Sequence, residues 1–265
     1  MALRSANITV MMQAARKAAR HLLRDFGEVE HLQVSIKGPG DYVSAADRRS
    51  EQILRQELAR ARPGFAFLLE ESGAVGDLEA DYRWIIDPLD GTTNFLHAVP
   101  HFAISIGLER QGELVAGVVY DPIKDEMFGA EKGAGAYLND RRLRVSRRTE
   151  LASCLIGTGI PVLDWPGRKL GFAAQLDRLA GEVSGVRRLG TASLDLAYVA
   201  AGRFDGFWEY DLKPWDMAAG IVLVREAGGL VGRLDGDPDL LGRGTLVASN
   251  PAIHERFCEL LRVGG

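Results

Sequence analysis

Between Trp84 and Phe95 the chain reads WIIDPLDGTTNF, and this segment restricts the fold more than any other. The apolar run Trp84, Ile85 and Ile86 asks for a buried strand, and it runs straight into two carboxylates, Asp87 and Asp90. Pro88 removes a backbone donor and Gly91 permits a left-handed conformation, so the strand is predicted to end abruptly at Asp87-Pro88 in an acidic turn. Gly91-Thr92-Thr93 then opens a helix. Strand–turn–helix units of this kind belong to layered α/β chains, where strand ends and helix starts collect at one sheet edge.

The turn suits two kinds of chemistry. Carboxylate oxygens are the hard ligands that Mg²⁺ takes, and the N–H groups at a helix start suit an anion such as phosphate. An Asx turn with an N-cap would use the same residues for purely local ends. Two more acidic signals bear on the choice. Glu70-Glu71-Ser72 follows the apolar run Phe65 to Leu69 directly, and Asp216 follows Trp215 at the start of WDMAAG. Alone, each reads as a solvated loop or an ordinary N-cap. Together they place acids at three strand or helix ends. Four carboxylates gathered without cations would raise one another's pKa, whereas two Mg²⁺ ions roughly 3.5–4 Å apart relieve the repulsion and suit an in-line displacement at phosphorus.

The remaining pattern fills in the layers. Met11, Met12, Ala15, Ala18, Ala19, Leu22, Leu23 and Phe26 recur at helical spacing and predict a helix from about Ala6 to Phe26. Lys37 to Val43, KGPGDYV, reads as a turn or hairpin, and Ser44 with Asp47 signals a helix that continues from Glu51 to Arg60. Ala103 to Glu109, Leu114 to Tyr120 and Glu126 to Ala130 read as antiparallel strands, and Gly133 to Leu138 with Leu143 to Val145 as a hairpin around Asn139-Asp140. From about Thr149, strands at 154–157, 185–189, 204–210 and 246–248 alternate with helices at 168–183, 193–201 and 215–227, and a last helix begins near Ala252. The expectation is an α/β fold, layered in the α+β manner, with subdomains 1–147 and 148–265.

Composition removes other classes. The 265 residues are 46% hydrophobic and 26% charged, enough for a substantial core. A formal net charge of −4 gives no chain-wide nucleic-acid footprint. No apolar run approaches the roughly 20 residues needed to span a bilayer. Arg16, Lys17, Arg20, His21 and Arg24 break up the N-terminal one. Cys154 and Cys258 read as separate buried thiols, so a cytoplasmic protein without a membrane partner is expected.

EES at Glu70 to Ser72, DPLDGTTNF at Asp87 to Phe95, and WDMAAG with EAGG between Trp215 and Gly229 occur in an order that resembles the inositol monophosphatase family. VSAAD at Val43 to Asp47, LGTASLDLAYVAAGRFDGFWE at Leu189 to Glu209 and KPWD at Lys213 to Asp216 extend the resemblance over nearly the whole chain, the last two toward the bacterial branch. It implies an αβαβα sandwich of the metal-dependent sugar-phosphatase type. It also implies hydrolysis of myo-inositol monophosphate, or a similar small monoester, by direct attack of a metal-activated water. Histidinol phosphate, fructose 1,6-bisphosphate and a nucleotide 3′-phosphate are alternative substrates within the family.

By the same resemblance, Glu70, Asp87, the Leu89 carbonyl and Thr92 surround one Mg²⁺, and Asp87, Asp90 and Asp216 a second; two or three ions are implied. Asp47 and Thr92 orient the attacking water, and Gly91 and Thr92 meet phosphate through backbone N–H groups. Gly190, Thr191, Ala192 and Glu209 face the polyol, with Arg187 near the pocket and Asp90 and Asp216 touching substrate. A homodimer, lithium sensitivity and association with a transcription or ribosome-assembly factor are implied as well. Leu69 stands where the family usually has Gly, which predicts a less permissive backbone before Glu70.

Other signals carry less. Asp235, Asp237 and Asp239 imitate a calcium loop whose twelfth position is Leu246 rather than Glu. Gly157 and Gly159 lack a complete dinucleotide or phosphate-loop pattern. His97 and His101 read as packing or surface residues, and Arg141, Arg142, Arg144, Arg147 and Arg148 as a solvated hairpin face. DPLDGT differs by one inserted residue from the DxDGT of haloacid dehalogenase phosphatases, which have no place for Glu70 or Asp216.

Overall fold

The structure, a computed structural model, describes residues 5–28, 34–38, 41–77, 79–160, 166–242 and 245–262. Helix α1 (Ala6–Phe26) starts where Ser5 Oγ accepts the Ile8 N–H, and it buries Met11, Met12, Ala15, Ala18, Ala19 and Leu22 along one stripe. Strands β1 (Val34–Gly38) and β2 (Asp41–Ser44) pair antiparallel as the expected hairpin; Pro39 and Gly40 lie outside the described residues. Helix α2 (Ala45–Ala61) opens with the box that Ser44 and Asp47 predict. The Ser44 hydroxyl accepts the Ala46 N–H, and Asp47 Oδ2 accepts the Ser44 N–H at 2.8 Å.

Two sheets follow. The first runs through β3 (Ala66–Leu69), β4 (Gly73–Val75), β5 (Tyr82–Asp90), β6 (Ala103–Arg110), β7 (Glu113–Asp121), β8 (Glu126–Glu131), β9 (Gly135–Leu138) and β10 (Arg141–Arg142), in the order β10-β9-β8-β7-β6-β5-β3-β4. All its pairs are antiparallel except β3 with β5. The five-residue helix α3 (Thr92–Leu96) leaves the end of β5. The second sheet comprises β11 (Leu155–Thr158), β12 (Gly185–Arg187), β13 (Gly206–Tyr210), β14 (Leu230–Arg233) and β15 (Thr245–Ser249), ordered β12-β11-β13-β15-β14. Helices α4 (Pro166–Ala180), α5 (Ala192–Ala200), α6 (Pro214–Glu226) and α7 (His254–Leu261) accompany it. Residue 147 lies in the connection between the two sheets.

The core divides into three bands that define five layers. Leu22 and Leu54 of α1 and α2 pack on Trp84, Ile86 and Ile106 of the first sheet. The opposite face of that sheet, with Val119 and Phe128, meets Leu196, Met217 and Ile221 of α5 and α6, which in turn meet Phe207 and Ala248. On the far side, Phe172 and Phe257 of α4 and α7 cover Ile156 and Trp208. The order is αβαβα. A helix between two sheets must be apolar all round, and every residue of α5 is buried. Helix α6 lies flush on the first sheet: a Cβ at Gly117 would sit 2.5 Å from the Ala219 carbonyl oxygen. That contact fixes where the N-terminus of α6, and hence Asp216, emerges.

Two expectations need correction. Strand β5 does not stop at Asp87 but continues to Asp90 through an irregularity described below. The second strand of the Asn139-Asp140 hairpin falls on Arg141–Arg142 rather than Leu143 to Val145. Leu143 still donates to Ala136, but Val145 turns away to the Ala227 carbonyl. Strands β4 and β14 were not foreseen; each is short and pairs with a single neighbour at a sheet edge. Both cysteines are free and buried. Among the described residues no helix is long and apolar enough to cross a membrane.

Candidate active site

On a regular strand, Asp87 and Asp90 would point to opposite faces, because side chains alternate with period two. Strand β5 avoids this with a bulge. Asp87 pairs with Ser105 and Asp90 with Ala103, so three steps on β5 oppose two on β6. The extra residue reverses the alternation and brings both carboxylates to one side. Pro88, which cannot donate to the ladder, sits inside the bulge, and its carbonyl accepts the Ser50 hydroxyl at 2.8 Å. Asp87 Oδ1 accepts the Leu89 N–H at 2.9 Å, the Asx turn that the purely local reading of these residues asks for.

Gly91 links this bulge to α3 with φ of 94°. A Cβ there would stand 2.6 Å from Thr191 Oγ1 and 3.2 Å from the His101 carbonyl oxygen. The two halves of the chain are stitched together around this point. Asn94 Nδ2 donates to the Leu189 carbonyl at 2.8 Å and the Ser193 N–H to Asp90 Oδ2 at 2.7 Å. Ser105 Oγ donates to the Trp215 carbonyl at 3.0 Å. The N-termini of α5 and α6 are thereby registered on the acidic turn. Thr92 Oγ1 lies 3.0 Å from both Asp47 Oδ1 and the Leu89 carbonyl oxygen.

The four acids named from the sequence converge electrostatically. Burial, then repulsion from Glu70, Asp90 and Asp216, holds the Asp87 carboxyl well above the usual range. Burial and the charges of Asp90 and Glu209 do the same to Asp216, with the Lys213 N–H partly offsetting them. Asp90 rises to about 6 by burial, against the lowering effect of its bonds from Ser193. Asp47, also raised by burial, stays tied to Ser44 and Thr92. Among the described residues no three His, Cys, Asp or Glu side chains stand in a ready-made metal-binding arrangement. Asp87 is hydrogen-bonded to Glu70, and the Asp90 charge reaches both Asp87 and Asp216. Their donor chemistry, crowded carboxylate oxygens beside the Leu89 carbonyl, fits a hard divalent cation.

Beside this group lies a second acidic centre. Glu209 on β13 is pushed up to about 8 by burial and the Asp90 charge, with Arg188 opposing. Gly159, after β11, leaves the room that Glu209 occupies: a Cβ there would fall 1.7 Å from Glu209 Oε1. Gly190, Thr191 and Ala192 form the start of α5, and the buried Thr191 hydroxyl donates to the His101 carbonyl at 3.1 Å. Arg187 does not join the group. It is exposed, its guanidinium bonds its neighbour's carbonyl at Val186, and it lies back along its own strand toward Gly185.

The geometry now meets its relatives. The model of the inositol monophosphatase family matches residues 4–263. The chain belongs to that family. An inositol-1-monophosphatase of Mesorhizobium japonicum is 57% identical over 98% of this chain and 97% of its own length. The crystal structure of extragenic suppressor protein suhB from Bartonella henselae superposes with a TM-score of 0.95 at 54% identity, covering 98% of this chain and all of that one. A Nus factor SuhB of Pseudomonas aeruginosa is 48% identical over 92% of this chain and 91% of its own.

Members of the inositol monophosphatase family are metal-dependent, in keeping with the donor set. The departure at Leu69 costs nothing visible: Leu69 is fully buried, paired with Ile86 and Gly73, and outside the set of positive-φ residues. Two residues in this neighbourhood escaped the sequence reading. Arg188, not Arg187, is the arginine that faces Glu209 and Asp195. Asp195 is a 1% exposed carboxylate, held well above its usual range by burial and by Glu209 and Asp90. The signal was present: Asp195 is the one charged residue in the otherwise apolar α5, ASLDLAYVA.

Proposed function

We propose that this chain hydrolyses myo-inositol monophosphate, releasing inositol and phosphate, with Mg²⁺ held by Glu70, Asp87, the Leu89 carbonyl and Thr92 on one side and by Asp87, Asp90 and Asp216 on the other. The observation that carries this reading is the gathering of buried carboxylates at the ends of β5 and α6, where the charge of Asp90 raises both Asp87 and Asp216. Family membership and the curated inositol-1-monophosphatase relatives support the substrate. When bound, the cations supply Lewis acidity, making water a better nucleophile at neutral pH and stabilising charge on the departing alkoxide.

The chain's own residues do the rest. Asp47, fixed by the Ser44 box, and Thr92, bonded to it, orient the attacking water. Gly91 and Thr92 offer the first N–H groups of α3 to the phosphate. Glu209 accepts polyol hydroxyls beside the start of α5, and Arg188 takes the place first given to Arg187. No covalent phosphoenzyme is required.

A phosphate-release assay over myo-inositol 1-phosphate, histidinol phosphate, fructose 1,6-bisphosphate and a nucleoside 3′-phosphate, with and without Mg²⁺, tests this. The inositol ester is expected to be turned over fastest and only with Mg²⁺; a faster alternative would reassign the substrate, and undiminished turnover in chelator would end the metal-site reading. Gly159→Ala provides a sharper check on Glu209. The added methyl must displace its carboxylate, so KM for the inositol ester is expected to rise about 10-fold with a smaller change in kcat. An unchanged KM removes Glu209 from the substrate side.

The SuhB relatives support a second, compatible role in binding a transcription factor. The edge strand β10 and its connection expose Arg141 and Arg147 for such a partner, whereas Arg148 is bonded to the buried Asp205. We also propose a homodimer, lithium inhibition by competition at a magnesium position, and a cytoplasmic location consistent with two free cysteines.

A further inference from the structure

Asp47, Ser50 and Glu51 occupy positions i, i+3 and i+4 of α2 and therefore share one helix face, which is buried. Each reaches a different segment of the site. Asp47 bonds Thr92 of α3, and Ser50 bonds the Pro88 carbonyl within the bulge. Glu51, 4% exposed, accepts the Glu71 N–H at 2.8 Å through Oε2 and the Ser72 hydroxyl through Oε1. On the other side of this clamp the Glu70 N–H donates to the Ile86 carbonyl at 3.2 Å. The backbone is thus fixed to β5 before the Glu70 side chain and to α2 after it.

A purely structural purpose for Glu51 explains less. The loop it grips is already closed, because Leu69 pairs with Gly73 across β3 and β4. Ser72 is exposed and fills no part of the core. Burying a carboxylate is costly unless its oxygens are hydrogen-bonded, and here both are committed to setting the course of residues 70–72. We propose that Glu51 is a positioning residue for Glu70: the first two turns of α2 act as a jig that sets the spacing between Glu70, the Asp87–Asp90 bulge and Thr92, and so sets affinity for the divalent cation. This rests on the metal-site reading of those acids.

Calorimetric titration of Mg²⁺ into the full chain, with circular dichroism to verify folding, tests the proposal. Glu51→Ala is expected to weaken Mg²⁺ binding about 10- to 100-fold, the range for partners that orient metal ligands. Phosphate release at limiting Mg²⁺ should fall by a similar factor, and raising Mg²⁺ should recover part of it. Glu51→Gln should restore affinity to within about 3-fold, since its carbonyl accepts the Glu71 N–H while its amide donates to Ser72 Oγ. Ser72→Ala, which removes one of the two bonds on an exposed residue, should weaken Mg²⁺ binding about 3- to 10-fold and keeps the test decisive if Glu51→Ala fails to fold. Unchanged affinity in Ser72→Ala, or a loss in Glu51→Gln as large as in Glu51→Ala, overturns the positioning role. Absence of Mg²⁺ binding to the parent protein would instead refute the metal site itself.

Discussion

Asp87→Asn is expected to lower phosphate release by about 10³-fold or more while raising the melting temperature of the metal-free protein, a pairing that follows from the proposed sharing of this carboxylate by two cations. Asp87 is 2% exposed and is raised by burial and by the charges of Glu70, Asp90 and Asp216, so its own charge is poorly tolerated. Asparagine keeps the shape. Its oxygen still accepts the Leu89 N–H, and its amide donates to Glu70 where the protonated Asp87 carboxyl is hydrogen-bonded. Relief of about 1 kcal/mol corresponds to roughly 2–4 °C for a chain of this size. Mg²⁺ should then add little to the variant's melting temperature and much to the parent's. A metal-free variant less stable than the parent would show that Asp87 is a structural anchor instead.

Burial of the neighbouring acids, with the Asp90 charge adding to it at Glu209, gives the parent a pH signature. Asp90 and Glu209 have folded values of about 6 and about 8 against ordinary values of 3.8 and 4.5. The folded chain therefore binds more protons than the unfolded one across that span, and stability falls as pH rises through it. Calorimetric scans of chelated protein should show the melting temperature dropping from about pH 4 to about pH 8. Mg²⁺ should restore most at the upper end. A rising melting temperature across that window would contradict the burial of these carboxyls.

Gly91→Ala is expected to lose activity and stability together. The position combines a φ of 94° with a Cβ site 2.6 Å from Thr191 Oγ1 and 3.3 Å from the Phe102 Cα. The left-handed conformation costs an alanine about 1–2 kcal/mol, and forcing a methyl into packed surroundings about 1–3 kcal/mol more. Thr191 cannot yield freely, because its hydroxyl is bonded to the His101 carbonyl that Asn94 also uses. Relaxation must therefore part α5 from the acidic turn and carry Asp90 away from the Ser193 N–H. Chemical denaturation should register a loss of about 2–5 kcal/mol. Stability near the parent's would mean that the two halves of the chain are not locked at this point.

The parts of the site written as local rules could be read from the sequence. The α2 box needs only Ser44 and Asp47, and α6 announces itself through Pro214 at its first turn and Gly228 after its last. What escaped depends on phase and on distant contacts. Nothing in DPLD says that one residue is extra, because that is defined by what lies opposite on β6. Arg187 and Arg188 are adjacent and chemically identical, and only the point where β12 ends decides which one turns toward Glu209. Glu51 is an ordinary charge in an amphipathic helix until residues 71 and 72 arrive against it. Gly159 looked like an incomplete motif because its meaning is the carboxylate it makes room for, fifty residues away.

Diffraction from crystals soaked in Mn²⁺, recorded for its anomalous signal, tests the central claim most directly. Peaks are expected within ligand distance, about 2.0–2.3 Å, of Asp87, with Glu70 on one side and Asp90 and Asp216 on the other. Anomalous density confined to the surface, with the side chains at 87 and 216 sharing no ion, would contradict it.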